Sequence, residues 1–293
     1  MAIVCYTADM ETRFNKQVQK HRRRWLPDNW QEKLPIKPAL YVLVMLLGVL
    51  LAIVVNQPAD GYLNNAEIDV LRREGSLKVA VDENLYGMNI NGKGLEPELC
   101  AALSREIFGN SEGCQMVPLN RHTLTWQMSE GNVDIAIMSL VSLPGKSYVT
   151  GENPFYQDPC LIMGYHIPER EELGGVSLGV LYNSPAYEVL SQYQQDVENG
   201  LGIVTFAAYY DMMVALRAGS LDGVCMPRTV ALTFREKGMN LSGYHLGTID
   251  YHAVGTAEQR EVMALVDSLL VRWAKDGTLR GMYENNDLLY EAG

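Results

Sequence analysis

Residues 39–55 (ALYVLVMLLGVLLAIVV) run for seventeen positions without a charge or a strongly polar group. Wound as a helix at ~1.5 Å per residue, such a segment reaches ~25 Å, a little short of the ~30 Å hydrocarbon core of a bilayer. Lys37 can snorkel on one side and Asn56 can sit at the far interface, which makes up the difference. The apolar character runs all the way round rather than along one stripe, so a buried core helix fits it poorly. The expectation is one membrane span.

Charge on either side sets its direction. Residues 1–38 carry eight Lys/Arg against four Asp/Glu, with Lys20 and Arg22 to Arg24 close to the span. The remaining residues carry sixteen against thirty-one, and the whole chain has a net charge of −11. The positive-inside rule keeps the basic tail in the cytoplasm and sends the acidic part across. No A-x-A site and no nearby Cys follow the span, so it reads as an uncleaved signal anchor in a bacterial cell membrane. The expected organisation is a cytoplasmic tail at 1–38, the anchor at 39–55, a linker at 56–65 and an extracytoplasmic domain at 66–293. The lipid bilayer is then a partner through residues 39–55, and the acidic exterior argues against nucleic acid. The five Cys include no C-x-x-C and the five His show no ligand spacing, so neither a metal nor another cofactor is expected.

Beyond the linker the pattern alternates. A helical run at 65–74 precedes the β-branched strand Leu77–Val81, a loop rich in Asn and Gly at 82–94, a helix over Leu95–Phe108 and a strand over Gln115–Leu119. Strands and helices in this alternation predict an α/β sheet of mostly parallel strands. A faint repeat follows. Helix 123–130 stops at Gly131 and Val133-Asp134 opens a strand at 135–140; 88 residues later helix 210–218 stops at Gly219 and Leu221-Asp222 opens a strand at 223–226. Glycine suits the left-handed position that ends a helix, and two such units suggest two similar lobes. The second lobe starts at strand Val176–Leu181, where Asn183 or Ser184 can cap a helix whose first turn takes Pro185. An amphipathic helix over 258–275, a stop at Gly277 and a short helix with Tyr283 and Tyr290 close the chain.

Seven segments in one order resemble the type 2 periplasmic solute-binding proteins, in particular the polar amino-acid-binding subfamily of ABC importers. They are LRREGSLKVAV, GLEPELCAAL, TLTWQMSEGNVDIAIMSLVSLPGK, NPFYQDPCLIMG, LGGVSLGVLYNSPAYEVL, ALRAGSLDGVCM and VDSLLVRWAKDGTLRGMYEN, spanning about 67–288. The resemblance implies two Rossmann-like α/β lobes joined by two hinge strands, preceded here by the transmembrane helix. Lobe 1 is expected at 66–157 and 254–293, lobe 2 at 162–248, with hinges near 157–161 and 249–253. In the family an Arg after the first-lobe strand grips a ligand carboxylate; Lys146 stands there, and Lys lacks the planar two-pronged grip. A Thr five residues earlier corresponds to Val141, beside Ser142, and the Asp that accepts an ammonium group corresponds to Pro227. The ligand residues the resemblance leaves are Tyr86, Glu98, Ser139, Ser142, Lys146, Asn183, Ser184 and Ala186.

The expected function is a membrane-tethered receptor that holds a small polar or anionic solute between its lobes for an ABC-type permease. The alternative is a binding-protein-like ectodomain serving as a sensory or structural accessory subunit of another integral-membrane complex. No Ser-His-Asp or Cys-His arrangement and no paired carboxylates stand out, so an enzyme is not expected, and fold alone carries no activity.

Overall fold

The computed structural model describes residues 66–196 and 200–289. The anchor expected at 39–55, the tail and the linker lie outside the described residues, and so does Tyr290. Among the described residues no helix is long and apolar enough to cross a membrane.

One eight-stranded mixed sheet runs through the domain in the order β4-β1-β5-β10-β6-β9-β7-β8. At its centre lie two 17-residue strands, β6 (Tyr148–Gly164) and β10 (Asn240–Thr256), paired antiparallel. On one side of them, here lobe 1, β5 (Ile135–Ala136), β1 (Leu77–Asp82) and β4 (Cys114–Leu119) run parallel to one another. On the other side, lobe 2, β9 (Gly223–Pro227), β7 (Ser177–Leu181) and β8 (Gly202–Phe206) do the same. The residues expected as hinges fall within the long pair, where Asp158 faces Ile249 and Gln157 faces Asp250.

Helices cover the sheet for the reason their sequences give. Both α2 (Leu95–Phe108) and α7 (Arg260–Asp276) bury an apolar stripe; in α7 it comprises Val262, Val266, Leu269 and Trp273 with their neighbours. They enclose the main core with Leu77, Val79, Val81, Phe155 and Tyr156. The other helices are α1 (Ala66–Glu74), α3 (Leu124–Ser129), α4 (Pro185–Asp196), α5 (Tyr209–Arg217), α6 (Arg228–Phe234) and α8 (Thr278–Asn285). The loop expected at 82–94 contains a two-rung hairpin, β2 (Asn84–Leu85) with β3 (Asn89–Ile90).

The repeat has a structural cause. Gly131 and Gly219 both take left-handed φ, 68° and 72°. Three residues after each, an Asp ties its helix-to-strand turn to the first strand of its lobe. The Asp134 carboxylate accepts the Lys78 N–H at 2.7 Å, and that of Asp222 accepts the Ser177 N–H at 2.8 Å. The strand after Asp134 is shorter than the sequence pattern suggests. Pairing ends at Ala136, after which the chain leaves β1 and turns toward the cleft.

Candidate functional site

Parallel strands with helical crossovers leave a crevice at their carboxyl ends, where loops diverge and helix N-termini converge. In this molecule those ends meet from both lobes around a cavity of about 320 Å³. Lobe 1 supplies Asp82 from the end of β1, Arg121 and His122 just past β4, and Ser139 just past β5. Lobe 2 supplies Ser184 and Ala186 after β7, Tyr209 after β8, and Pro227 with Val230, Thr233 and Phe234 from β9 and α6. Ile249 and Tyr251 of β10 also line it, as do Glu83, Asn84 and Leu85 after β1, Leu119 and Asn120 at the end of β4, and Pro185.

The charged groups are held by backbone. The Ser139 N–H donates to Asp82 Oδ2 at 2.7 Å, and the Ser139 carbonyl accepts from the Arg121 guanidinium. One peptide segment thus fixes an anion through its N–H and a cation through its C=O. Among the described residues neither Asp82 nor Arg121 has an ion-pair partner. Asp82 is backed by Glu96, which is fully buried and accepts the Asp82 N–H at 2.7 Å. Burial, reinforced by the neighbouring Asp82 charge, holds the Glu96 carboxyl well above the usual carboxylate range.

The apolar wall is aromatic. Tyr209 and Phe234 pack with ring centroids 5.3 Å apart. Burial raises Tyr209 to about 12 and Tyr251 well above the phenol range, and the Arg121 charge acts against the rise at both rings. Under Tyr251 sits Asp158, wholly buried on β6. It accepts the Thr229 hydroxyl at 2.5 Å and the Tyr251 hydroxyl at 3.1 Å. Burial pushes Asp158 up to about 6, against the pull of those hydrogen bonds.

This raised carboxyl has a pH consequence. An unfolded Asp titrates near 3.9. Between about pH 4 and pH 6 the folded state keeps a proton that the unfolded chain has released, so stability falls as pH rises through that window and levels off above it. The amplitude is on the order of 3 kcal/mol. Asp158→Asn keeps an acceptor oxygen for Tyr251 and Thr229 but cannot titrate. Its stability is expected to lose this part of the decline, as denaturant unfolding at pH 4, 5, 6 and 7 would show. A slope identical to that of the parent protein would mean that Asp158 does not titrate in this range.

Of the residues expected from sequence, Ser139, Ser184 and Ala186 meet at the cavity. Ser184 is the cap of α4: its hydroxyl accepts the Tyr187 N–H at 3.2 Å, whereas Asn183 is exposed in a left-handed turn. Tyr86 lies beside the cavity lining, donating its N–H to Thr233 Oγ1 at 2.9 Å and its hydroxyl to Asp287 at 2.7 Å. Glu98 accepts from the Asn286 side chain at 2.9 Å. Ser142 and Lys146 are exposed on the loop between β5 and β6, outside the lining. Sequence reasoning passed over Arg121, His122 and the aromatic wall. The signal for Arg121 was its place immediately after a parallel strand, since such ends face the crevice.

Searches among known folds give the same architecture. A mutant of the arginine-binding protein ArgBP from T. maritima aligns at 17% identity and TM-score 0.54, covering 75% of this chain and 98% of its own. The solute receptor for L-cysteine of Neisseria gonorrhoeae aligns at 15% and 0.55, covering 75% and 92%. The ancestral amino acid-binding protein AncCDT-1, a precursor of cyclohexadienyl dehydratase, aligns at 17% and 0.55, covering 75% and 99%. The domain has the type 2 periplasmic-binding-protein fold. No family model matches the sequence. At these identities the likeness carries the fold, while the site has to be read from this chain's own residues. Among the described residues, no three His, Cys, Asp or Glu side chains gather where a metal ion could be held.

Proposed function

We propose that this protein is a solute receptor that closes its two lobes on a small polar molecule bearing adjacent opposite charges. One observation carries the reading: Arg121 and Asp82 face one cavity, neither with an ion-pair partner among the described residues, and each is bonded to the backbone of Ser139. A carboxylate meets the guanidinium fork and an ammonium meets Asp82, while the Tyr209, Phe234 and Tyr251 rings take the apolar remainder. Arg121 then stands in for the cation that the family resemblance places at Lys146, and Asp82 for the acid that it places at Pro227. That the fold's relatives include receptors for arginine and for L-cysteine supports a ligand of this kind. The receptor is tethered by residues 39–55, with its N-terminus in the cytoplasm, and passes its solute to an ABC-type importer in the same membrane.

A second reading, an accessory ectodomain without a small ligand, is favoured by the loss of all three family anchors at Val141, Lys146 and Pro227. Thermal unfolding of the full chain in detergent separates the two. A ligand at 100 times its dissociation constant adds ~2.7 kcal/mol to the folded state. The expected result is a clear upward shift with zwitterionic amino acids, and little or none with sugars or simple organic anions. A flat response to every class, from a protein that is folded, would sink the receptor and leave the accessory subunit.

A further inference from the structure

Two buried thiols lie in contact where β6 meets lobe 2. In the antiparallel pair of β6 with β9, Cys160 faces Pro227 and Ile162 faces Cys225, so both cysteines project from one face of the sheet. Their Sγ atoms are 3.4 Å apart, and both side chains are shielded from solvent. Among the described residues this is the one hydrogen-bonding contact between cysteine sulfurs; Cys100 and Cys114, on α2 and β4, are free and buried. The contact with the Cys225 sulfur, followed by burial, holds the Cys160 thiol well above its usual range. The Cys160 thiol is therefore not activated for attack in the finished fold.

A disulfide needs the two sulfurs about 2.05 Å apart. Cys225 sits diagonal to Cys160 on the ladder, so closing the remaining gap takes rotation of both side chains together with a local approach of the two strands. We propose that Cys160 and Cys225 form a structural disulfide when the domain folds in an oxidising compartment. The bond joins the two sulfurs; two protons and two electrons leave, reducing the disulfide of a folding oxidoreductase, or oxidised glutathione, to two thiols. Burial means that the bond forms while the lobes assemble and is then out of reach of solvent reductants. It is a staple and not a switch. It ties β9, and with it the α6 wall of the cavity, to one of the two strands that cross between the lobes. The inference leans on the exported location only for the oxidant.

Thiol counting tests it. The full chain is purified in detergent, denatured without reductant and alkylated with iodoacetamide. Three of the five cysteines, Cys5, Cys100 and Cys114, are expected to be labelled, rising to all five after reduction. Tryptic mapping should find the Cys160 peptide joined to the Cys225 peptide. Reductant present during unfolding is expected to lower the melting temperature of the parent protein and of Cys100→Ser by roughly 5–10 °C, but not that of Cys225→Ala. Five labelled cysteines, both as isolated and after refolding in a glutathione redox buffer, would overturn the proposal. A bond that forms only on refolding would uphold the pairing and count against the exported location.

Discussion

Replacing Arg121 by Ala is expected to weaken binding of the zwitterionic solute by about 2–5 kcal/mol, or roughly 30-fold to several-thousand-fold, because a desolvated carboxylate is left without its cation. Calorimetry on the full chain reads this directly. Arg121→Lys should fall between, since an ammonium group supplies charge without the planar fork. Lys146→Ala is the paired comparison. That side chain is exposed and outside the cavity lining, and its loss is expected to change affinity less than threefold. The reverse pattern, with Lys146→Ala damaging and Arg121→Ala silent, would return the anchor to the position that the family resemblance assigns. Arg121→Ala should also fold normally, because its guanidinium faces the cavity and not the core.

Gly94→Ala is expected to be the most damaging single substitution, at about 4 kcal/mol or more. Gly94 has φ 143°, and a Cβ placed there would lie 2.1 Å from the Met88 carbonyl oxygen and 2.5 Å from its carbon. Those atoms are main chain and cannot swing aside. The same carbonyl accepts the Glu96 N–H at 3.1 Å, so any movement of this turn also displaces the start of α2 and the carboxyl behind Asp82. Gly92→Ala is the control. Its φ is also positive, but nothing lies within 4 Å of the added carbon, so only the conformational cost of about 1–2 kcal/mol applies. Denaturant unfolding of both variants compares them. A loss below about 1 kcal/mol at Gly94 would show that the turn can yield.

How much of this could be read beforehand follows from what each level of structure depends on. The alternation from Leu77 to Phe108 and the two helix–Gly–Asp units are local patterns, and they specify α/β lobes because hydrophobic period and the left-handed glycine are properties of short segments. The cap at Ser184 was open between two neighbours. Its choice depends on the left-handed turn at Asn183, which sequence does not display. The site was less legible. Ser139, Ser184 and Ala186 lie near strand ends and came with the family pattern, but Arg121 enters the cavity from a turn that the pattern does not mark. The aromatic wall needs Tyr209, Phe234 and Tyr251 to converge from three separate elements, a fact of tertiary packing alone.

In the proposed receptor, the peptide groups of Ser139 divide the labour of binding. Because its N–H and C=O hold the acid and the base, the spacing of the two poles is set by main-chain geometry, which no exchange of the Ser139 side chain alters. Any molecule with the right head group fits that socket equally well. Choice among such molecules then falls to the far side, which Tyr209, Pro227, Val230 and Phe234 line. A lineage built on this scaffold could therefore change what it gathers by altering the wall while leaving the socket as it is.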